Sequence, residues 1–232
     1  MSGQTYVALD LETTGLSAKT DRIIEIGAVL VESGEIKDTF ETFVNPRMEL
    51  PQRIVEITGI RQEEVDSAPP IDEILSGLSA FLGGRDLLGH QIIFDYSFLK
   101  RAFVNQGMCF EKRGIDTLKL ARKYLPDLPS KRLPALCAYY GIRQKAHRAL
   151  EDARAAHLVY ERLREQYYEE EAFRPCQLVY KVKREAPAGK RQRERLSTLA
   201  EKHNLLIPVE LESMSKNEVS RLTDQILAKY GR

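Results

Sequence analysis

Cysteine is scarce in this 232-residue chain, and long apolar runs are missing from it. Cys109, Cys137 and Cys176 are odd in number and lack zinc-ligand spacing, which argues against a disulfide framework and for a reducing compartment. No apolar run approaches the roughly 20 residues that span a bilayer. The first nine residues lack the basic and then apolar pattern of a secretory signal. We therefore expect a cytoplasmic protein without a membrane partner.

The overall composition is that of a soluble globular protein with a proper core, because 43% of the residues are hydrophobic and 30% are charged. The near-neutral total hides an asymmetry. Residues 1–170 carry 22 basic and 26 acidic side chains, a net of −4, whereas residues 171–232 carry 13 and 8, a net of +5. An acidic body with a basic tail is a hint of a nucleic-acid partner.

The composition changes after the glutamates 169–171. The predicted divisions are a domain over 1–170, a basic strand and linker over 171–195, and a small helical segment over 196–232. Leu178 to Lys183 alternates like a strand, and Glu185 to Arg195 is expected to be a linker. Leu196 to His203 predicts a short helix. Ser215 with Glu218 three residues later predicts a capping box that opens another helix.

The first strand is predicted over Thr5 to Glu12, and it carries two acids on one face. Asp10 and Glu12 share that face because strand side chains repeat every second residue. Neighbouring carboxylates repel each other, so the pair calls for a cation. The alternative is an edge strand with a solvated acidic face. Leu9 and Leu11 favour a central strand.

The remaining elements follow from periodicity and turn residues. Strands are predicted over Arg22–Val31, Glu35–Val44 and Asp86–Gly89, and helices over Pro51–Ile57, Pro70–Leu82, Phe94–Asn105, Thr117–Tyr124, Arg132–Tyr140 and Ala149–Tyr168. Asp95 begins a helix just after a strand, where open α/β sheets place functional groups, although it could also be an N-cap. Asp116 reads as a plain cap.

A histidine and an acid five residues apart, His147 and Asp152, cannot share one face of a straight helix. We expect Asp152 in the first helical turn, where the helix dipole favours a carboxylate, and His147 on the loop that enters it. His157 is expected to be structural or solvated. His90 could be either structural or functional.

Three motifs carry a family resemblance: residues 10–15 (DLETTG), residues 89–95 (GHQIIFD), and His147 followed by Asp152. Each is common alone, but together, in this order over residues 4–168, they are specific. They resemble the motifs of the DEDDh, or DnaQ-like, 3′→5′ exonucleases, a family that includes the proofreading epsilon subunit of bacterial DNA polymerase III.

The resemblance implies an α/β, ribonuclease H-like mixed sheet flanked by helices, here with a small basic α+β appendage at the C-terminus. It implies hydrolysis of the terminal phosphodiester of a 3′ end, which releases nucleoside 5′-monophosphates. The residues that match the metal-binding acids and the general base are Asp10, Glu12, Asp95, Asp152 and His147. The expected substrate contacts are Thr13, Thr14, Gly15, Thr58, Gly59, Gln91 and Phe94. Gln91 departs from the asparagine that the family more often has there.

The chemistry of these side chains agrees with the resemblance. Hard oxygen ligands without cysteine suit Mg²⁺ or Mn²⁺. Two such ions about 4 Å apart stabilise both the attacking and the leaving oxygen of an in-line displacement. Asp10 would bridge both ions, with Glu12 and Asp152 on the water-binding ion and Asp95 on the other. His147 would accept a proton from the water.

The sequence leaves three alternatives open. The substrate expected from the resemblance is a single-stranded or frayed 3′ end of DNA, but an enzyme trimming RNA would use the same site and differ in contacts to the 2′-OH. A non-catalytic nucleic-acid-binding subunit associated with a polymerase is a third reading.

A DNA polymerase subunit is the protein partner implied by the resemblance. The basic tail is either a solvated linker or a strand-binding element.

Overall fold

The computed structural model describes residues 4–144, 147–205, 211 and 214–231. The chain forms two compact units, Met1–Val182 and Lys183–Arg232. In the described part of the chain, no helix is both long enough and apolar enough to cross a membrane.

The first unit is built on a six-stranded sheet. Its strands are β1 (Thr5–Thr13), β2 (Ile23–Glu32), β3 (Glu35–Phe43), β4 (Asp86–Gly89), β5 (Arg113–Asp116) and β6 (Cys176–Gln177). Their order across the sheet is β3-β2-β1-β4-β5-β6. The pairs β1–β2, β2–β3 and β5–β6 are antiparallel, and β1–β4 and β4–β5 are parallel. Strand β1 is therefore central, and the edge-strand alternative is wrong.

The predicted helices of the first unit agree with the observed helices to within one or two residues at their ends. In the first unit they are α1 (Gln52–Thr58), α2 (Gln62–Asp66), α3 (Ile71–Leu82), α4 (Ile93–Asn105), α5 (Thr117–Tyr124), α6 (Leu133–Tyr140), α7 (Ala149–Tyr167) and α8 (Glu170–Phe173). The second unit contains α9 (Lys190–Lys202) and α10 (Lys216–Tyr230). The sequence reading missed α2, α8, β5 and β6, which span at most five residues each and are too short to show a period.

Strand β1 separates two hydrophobic cores, because its side chains alternate between the faces of the sheet. Val7 and Leu9 pack in a core with residues of α3 and α4. Tyr6 and Ala8 point the other way, into a core that includes Tyr160 and neighbouring residues of α7. This burial on both faces fixes the register of β1, since a slip of one residue would exchange the faces.

The start of α7 lies directly on β2 at a glycine. A Cβ atom on Gly27 would overlap the backbone of Ala149 and Leu150, so only glycine fits here. Gly27 is paired with Asp10 across the β1–β2 ladder. The contact therefore brings the first turn of α7 next to the acidic end of β1.

The predicted strand over Leu178 to Lys183 is wrong. Ladder pairing ends with β6 at Gln177, and the chain continues without a strand partner. The Leu178 amide still donates to the Lys112 carbonyl at 2.9 Å, and the Leu178 side chain is buried against Gly114. The alternating pattern thus reflects an extended segment with one buried side chain, not a sheet strand.

The predicted linker over Glu185 to Arg195 is wrong in its second half, because α9 begins at Lys190. Gly189 is the N-cap residue, and its amide donates to the side chain of Gln192 at 3.2 Å. The arginines, glutamine and glutamate that follow are good helix formers. The high charge of this stretch hid its helical propensity.

The second unit has a small core of its own, formed by Ala188, Leu196, Met214 and Val219. The predicted helix after residue 196 is the later part of α9. The predicted capping box is confirmed at the start of α10: the Ser215 amide donates to Glu218 at 2.9 Å, and the Glu218 amide donates to the Ser215 hydroxyl at 3.3 Å.

We predict that Gly27→Ala destabilises the first unit, because the added methyl group forces α7 away from β2. Overpacking of this kind costs about 1–3 kcal/mol in the free energy of unfolding. Gly77→Ala is the matched control: Gly77 lies inside α3, and its Cβ would meet only Phe40 at 3.9 Å. That change should be neutral or stabilise by up to about 1 kcal/mol. Urea unfolding measures both, and equal effects would contradict the packing argument.

Candidate active site

Two acids lie near the end of the central strand. Asp10 and Glu12 point to the same side of β1, and both side chains are partly exposed. The register of the β1–β2 ladder shifts between Glu12 and Thr13, and β1 ends at Thr13, one residue after the pair. The acids therefore stand where the sheet opens to solvent.

Asp95 joins them from α4. It lies in the first turn of that helix, is 2% exposed, and its Oδ1 accepts from the Leu11 amide at 3.0 Å. Leu11 separates Asp10 from Glu12, so this bond holds the third carboxylate against the first two. Ile92 occupies the N-cap position, and the reading of Asp95 as an N-cap is wrong.

Asp152 and His147 complete the cluster from α7 and its entry loop. Asp152 lies in the first turn of α7, as predicted, and accepts from the Gln144 side chain and from the His147 amide, the latter at 3.0 Å. His147 is exposed and has a positive φ of 67°. Ligand atoms of Glu12, His147 and Asp152 all lie within 4.8 Å of one another. The structure thus brings the histidine to the acids although it lies outside the helix.

Burial and mutual repulsion raise the pKa of the clustered acids. Burial is the main cause for Asp10, followed by the negative charges of Asp95 and Asp152, and its pKa lies well above the usual range. Burial, then Asp152, raises the pKa of Glu12 to about 8. The pKa of Asp95 is also raised, chiefly by burial. For Asp152, burial raises the pKa against the opposing hydrogen bonds from Gln144 and His147.

These shifts supply a test of whether a cation fits the cluster. Carboxylates that resist ionisation because of their neighbours become ionised when a cation lies between them. The donor set consists of carboxylate oxygens with one histidine near them, and none of the three cysteines belongs to it. Such a set suits a hard divalent cation. The residues present fit a metal centre.

A buried ion pair that the sequence reading missed anchors the start of α7. Glu25 on β2 is fully buried, and its Oε1 accepts from Arg148 Nε at 3.0 Å and Nη2 at 2.9 Å. Its Oε2 accepts from the Ala149 amide at 3.1 Å. The Arg148 guanidinium also lies 5.4 Å from the centre of the Phe43 ring. The signal in the sequence was a glutamate in an otherwise apolar strand, since a buried acid needs a partner.

The predicted contacts of the turn after β1 are close to the acids, but their hydroxyls serve the turn. Thr13 Oγ1 donates to the Gly15 carbonyl at 2.7 Å, and Thr14 Oγ1 accepts from the Arg22 amide at 2.9 Å. Leu16, which the sequence reading passed over, follows this turn and is 89% exposed. It offers an apolar surface beside the site. Its signal was a large hydrophobic residue in a turn.

Thr58 and Gly59 end α1. Thr58 is buried, donates to the Ile54 carbonyl at 2.9 Å and accepts from the Ile60 amide at 3.1 Å. Gly59 is the left-handed C-cap, with φ 71°. Both residues shape this turn, and no contact with the acids is seen among the described residues.

Gln91 and Phe94 lie at the entrance to α4. Gln91 is exposed with φ 67°, and its amide donates to Asp116 Oδ1 at 2.9 Å. Asp116 also caps α5 through the Leu118 amide at 3.0 Å, which confirms the predicted cap. Phe94 is half-buried against Phe98, with ring centres 5.0 Å apart.

The other two candidate histidines have partners away from the acids. His157 is buried, and its Nδ1 lies 2.9 Å from the Tyr6 hydroxyl. His90 Nδ1 lies 3.0 Å from the Thr117 hydroxyl, and burial lowers the His90 pKa. Both rings are held by structural contacts.

The sequence and the fold of this chain are both similar to those of known nucleases and polymerases. A sequence profile described as exonuclease matches residues 7–160. The DNA polymerase III PolC-type of Clostridium perfringens is 42% identical over 151 residues, which are 65% of this chain and 10% of that protein. Exonuclease X, solved with 5′-overhanging duplex DNA, has a TM-score of 0.58 at 24% identity over 72% of this chain and 96% of that one. The nuclease domain of 3′hExo, a DEDDh family member solved with rAMP, has a TM-score of 0.65 at 21% identity, over 76% and 98%.

The solved structures share the fold, and the predicted ribonuclease H-like mixed sheet is confirmed. The chain spans about a tenth of the length of the PolC-type relatives. The profile covers well over half of the chain and includes the strand and helices that carry the acidic cluster. The resemblance drawn from the three motifs is thereby confirmed, and the chain belongs to the exonuclease family.

Proposed function

We propose that this chain is a metal-dependent 3′→5′ exonuclease that removes nucleoside 5′-monophosphates from DNA. The observation that carries the proposal is that ligand atoms of Glu12, His147 and Asp152 lie within 4.8 Å of one another. Asp10 and Asp95 stand next to this group: burial and the charges of Asp95, Asp152 and Glu12 all raise the pKa of Asp10. A scaffold or purely binding subunit would not need four closely spaced, mutually repelling acids. Their retention together with the histidine favours catalysis over the non-catalytic reading.

The metal ligands would be Asp10, Glu12, Asp95 and Asp152, with Asp10 shared between two cations of Mg²⁺ or Mn²⁺. Asp95, Asp152 and Glu12 all lie close enough to Asp10 to raise its pKa. Bound divalent cations would neutralise the charge that develops on the attacking and leaving oxygens. The chain's own part is positional: the Leu11 amide orients Asp95, and Gln144 and the His147 amide orient Asp152.

His147 is proposed as the general base. Its ring is exposed, lies beside Glu12 and Asp152, and stands on the loop that enters α7. An imidazole in this position can accept a proton from a water that attacks the phosphodiester. The His147 backbone amide donates to Asp152 at 3.0 Å, which ties the loop to the acid.

DNA is the favoured substrate for two reasons. The relatives that are about 42% identical to this chain are PolC-type DNA polymerases III, and Exonuclease X was solved with DNA. The turn after β1, with exposed Leu16, would contact the terminal nucleotide. RNA is the second candidate, favoured by the rAMP bound to the DEDDh neighbour. The polymerase relatives likewise support a DNA polymerase subunit as partner and a site of action in the cytoplasm.

One assay with end-labelled strands tests both the direction of hydrolysis and the preference for DNA over RNA. We expect a 3′-labelled DNA strand to release labelled nucleoside 5′-monophosphate at once, and a 5′-labelled strand to shorten as a ladder. A matched RNA strand should be degraded more slowly. Early release of a 5′ label would overturn the polarity, and faster cleavage of RNA would transfer the proposal to the RNA candidate.

Metal dependence is the second expectation. Chelation with EDTA should abolish hydrolysis, and Mg²⁺ or Mn²⁺ should restore it, because the four acids need cations to be ionised together. Asp10→Ala should be the most damaging single substitution, since this residue would be shared by both ions. Asp127→Ala, which removes an exposed acid in the loop after α5, is the control and should retain activity. Full activity in EDTA would contradict the metal centre.

His147→Ala should lower the turnover number by about 10²–10⁴-fold, the usual contribution of a positioned base. Metal binding should be largely kept. His157→Gln is the matched control, because His157 is bonded to Tyr6 and lies away from the acids. Steady-state kinetics, with thermal unfolding to verify the fold, make the comparison. Equal losses in the two variants would show that the assignment of the base is wrong.

A further inference from the structure

Helix α9 of the second unit presents a basic line on its exposed side. Arg191, Arg195, Thr198 and Lys202 follow one another at steps of four, three and four residues, so they fall within about 60° of one another around the helix. All four are exposed. Leu196 and Ala200 face the opposite way, into the small core of the unit. We call these four residues the α9 basic face.

The two arginines of the α9 basic face have no structural duty in the described part of the chain. Neither Arg191 nor Arg195 forms an ion pair with a described carboxylate. The acid nearest along the helix, Glu194, lies beside the face and pairs with Lys190 at 3.7 Å. Arg193 differs from them, because its guanidinium donates to the Ala188 carbonyl at 2.6 Å. Two guanidinium groups on α9 therefore remain for a ligand.

The charge distribution indicates which ligand they fit. Residues 1–182 carry 24 basic and 27 acidic side chains, whereas residues 183–232 carry 11 and 7. The unit with the acidic cluster thus has a net charge that repels a polyanion, and the second unit has one that attracts it. Four residues of helix advance about 6 Å, so successive arginines present separate charges along a chain of phosphates. Arginine is well suited to phosphate because of its planar fork of donors.

We propose that the α9 basic face binds the phosphate backbone of a single DNA strand, and that this holds the strand on the same chain as the nuclease site. The inference rests on the proposed function, because it takes its strand to be the substrate. Tethering is sufficient for the effect: a strand held by one module is present at a high effective concentration for a second module on the same chain. The face lies beyond residues 7–160, which the exonuclease profile covers, and is a binding site separate from the acids.

The test uses the full chain and a labelled oligothymidylate. Every variant carries Asp10→Asn so that the strand is not degraded. Arg191→Gln with Arg195→Gln is compared with Lys183→Gln with Lys216→Gln, a pair that removes the same charge from exposed positions of the second unit outside the face. A phosphate contact on a single strand contributes about 0.7 to the slope of log K against log[salt]. The arginine variant should therefore flatten the slope by about 1.4, and the lysine variant should keep the original slope.

Two results would overturn the inference: an unchanged slope in the arginine variant, or an equal flattening in both variants, which would show that net charge alone is responsible. The first would leave an acidic protein partner as the occupant of the face. Hydrolysis of a dinucleotide by the unaltered chain reports separately on the nuclease site. If the dinucleotide is not cleaved while the arginine variant still loses slope, the proposed function fails and the strand-binding face stands.

Discussion

The close approach of α7 to β2 is the contact on which the acidic cluster depends. Gly27 leaves room for the backbone of Ala149 and Leu150, and Glu25 holds Arg148 and the Ala149 amide from the same strand. Because Gly27 pairs with Asp10, the first turn of α7 is brought up against the acids of β1. A side chain at this position would separate Asp152 from the other three carboxylates.

The cluster is electrostatically unfavourable without a cation, and the surrounding fold holds it together. Asp10 and Asp95 have raised pKa values because they are buried beside like charges. Their backbone is fixed independently, since β1 lies in the middle of the sheet with a core on each face. Local strain of this kind persists where the structure around it is over-determined, as it is at functional sites.

The second unit differs from the first in the size of its hydrophobic core. Its core is small, made from a few apolar residues of α9, α10 and their flanks, and a unit of some 50 residues is near the lower limit for an independent fold. Its helices nevertheless carry caps and a charged surface that the small core does not require. Of this charged surface, the proposed strand binding uses only the exposed side chains of the α9 basic face.

The sequence by itself determined what depends on local periodicity and local chemistry. The alternation in β1 predicted its shared acidic face, Ser215 and Glu218 predicted the start of α10, and three short motifs predicted the family. Only the tertiary structure decided what depends on distant partners. It decided that Leu178 lies in an unpaired segment and that Glu25 binds Arg148, 123 residues away. Hydrogen-bond partners so far apart leave no period in the sequence, because the fold alone brings them together.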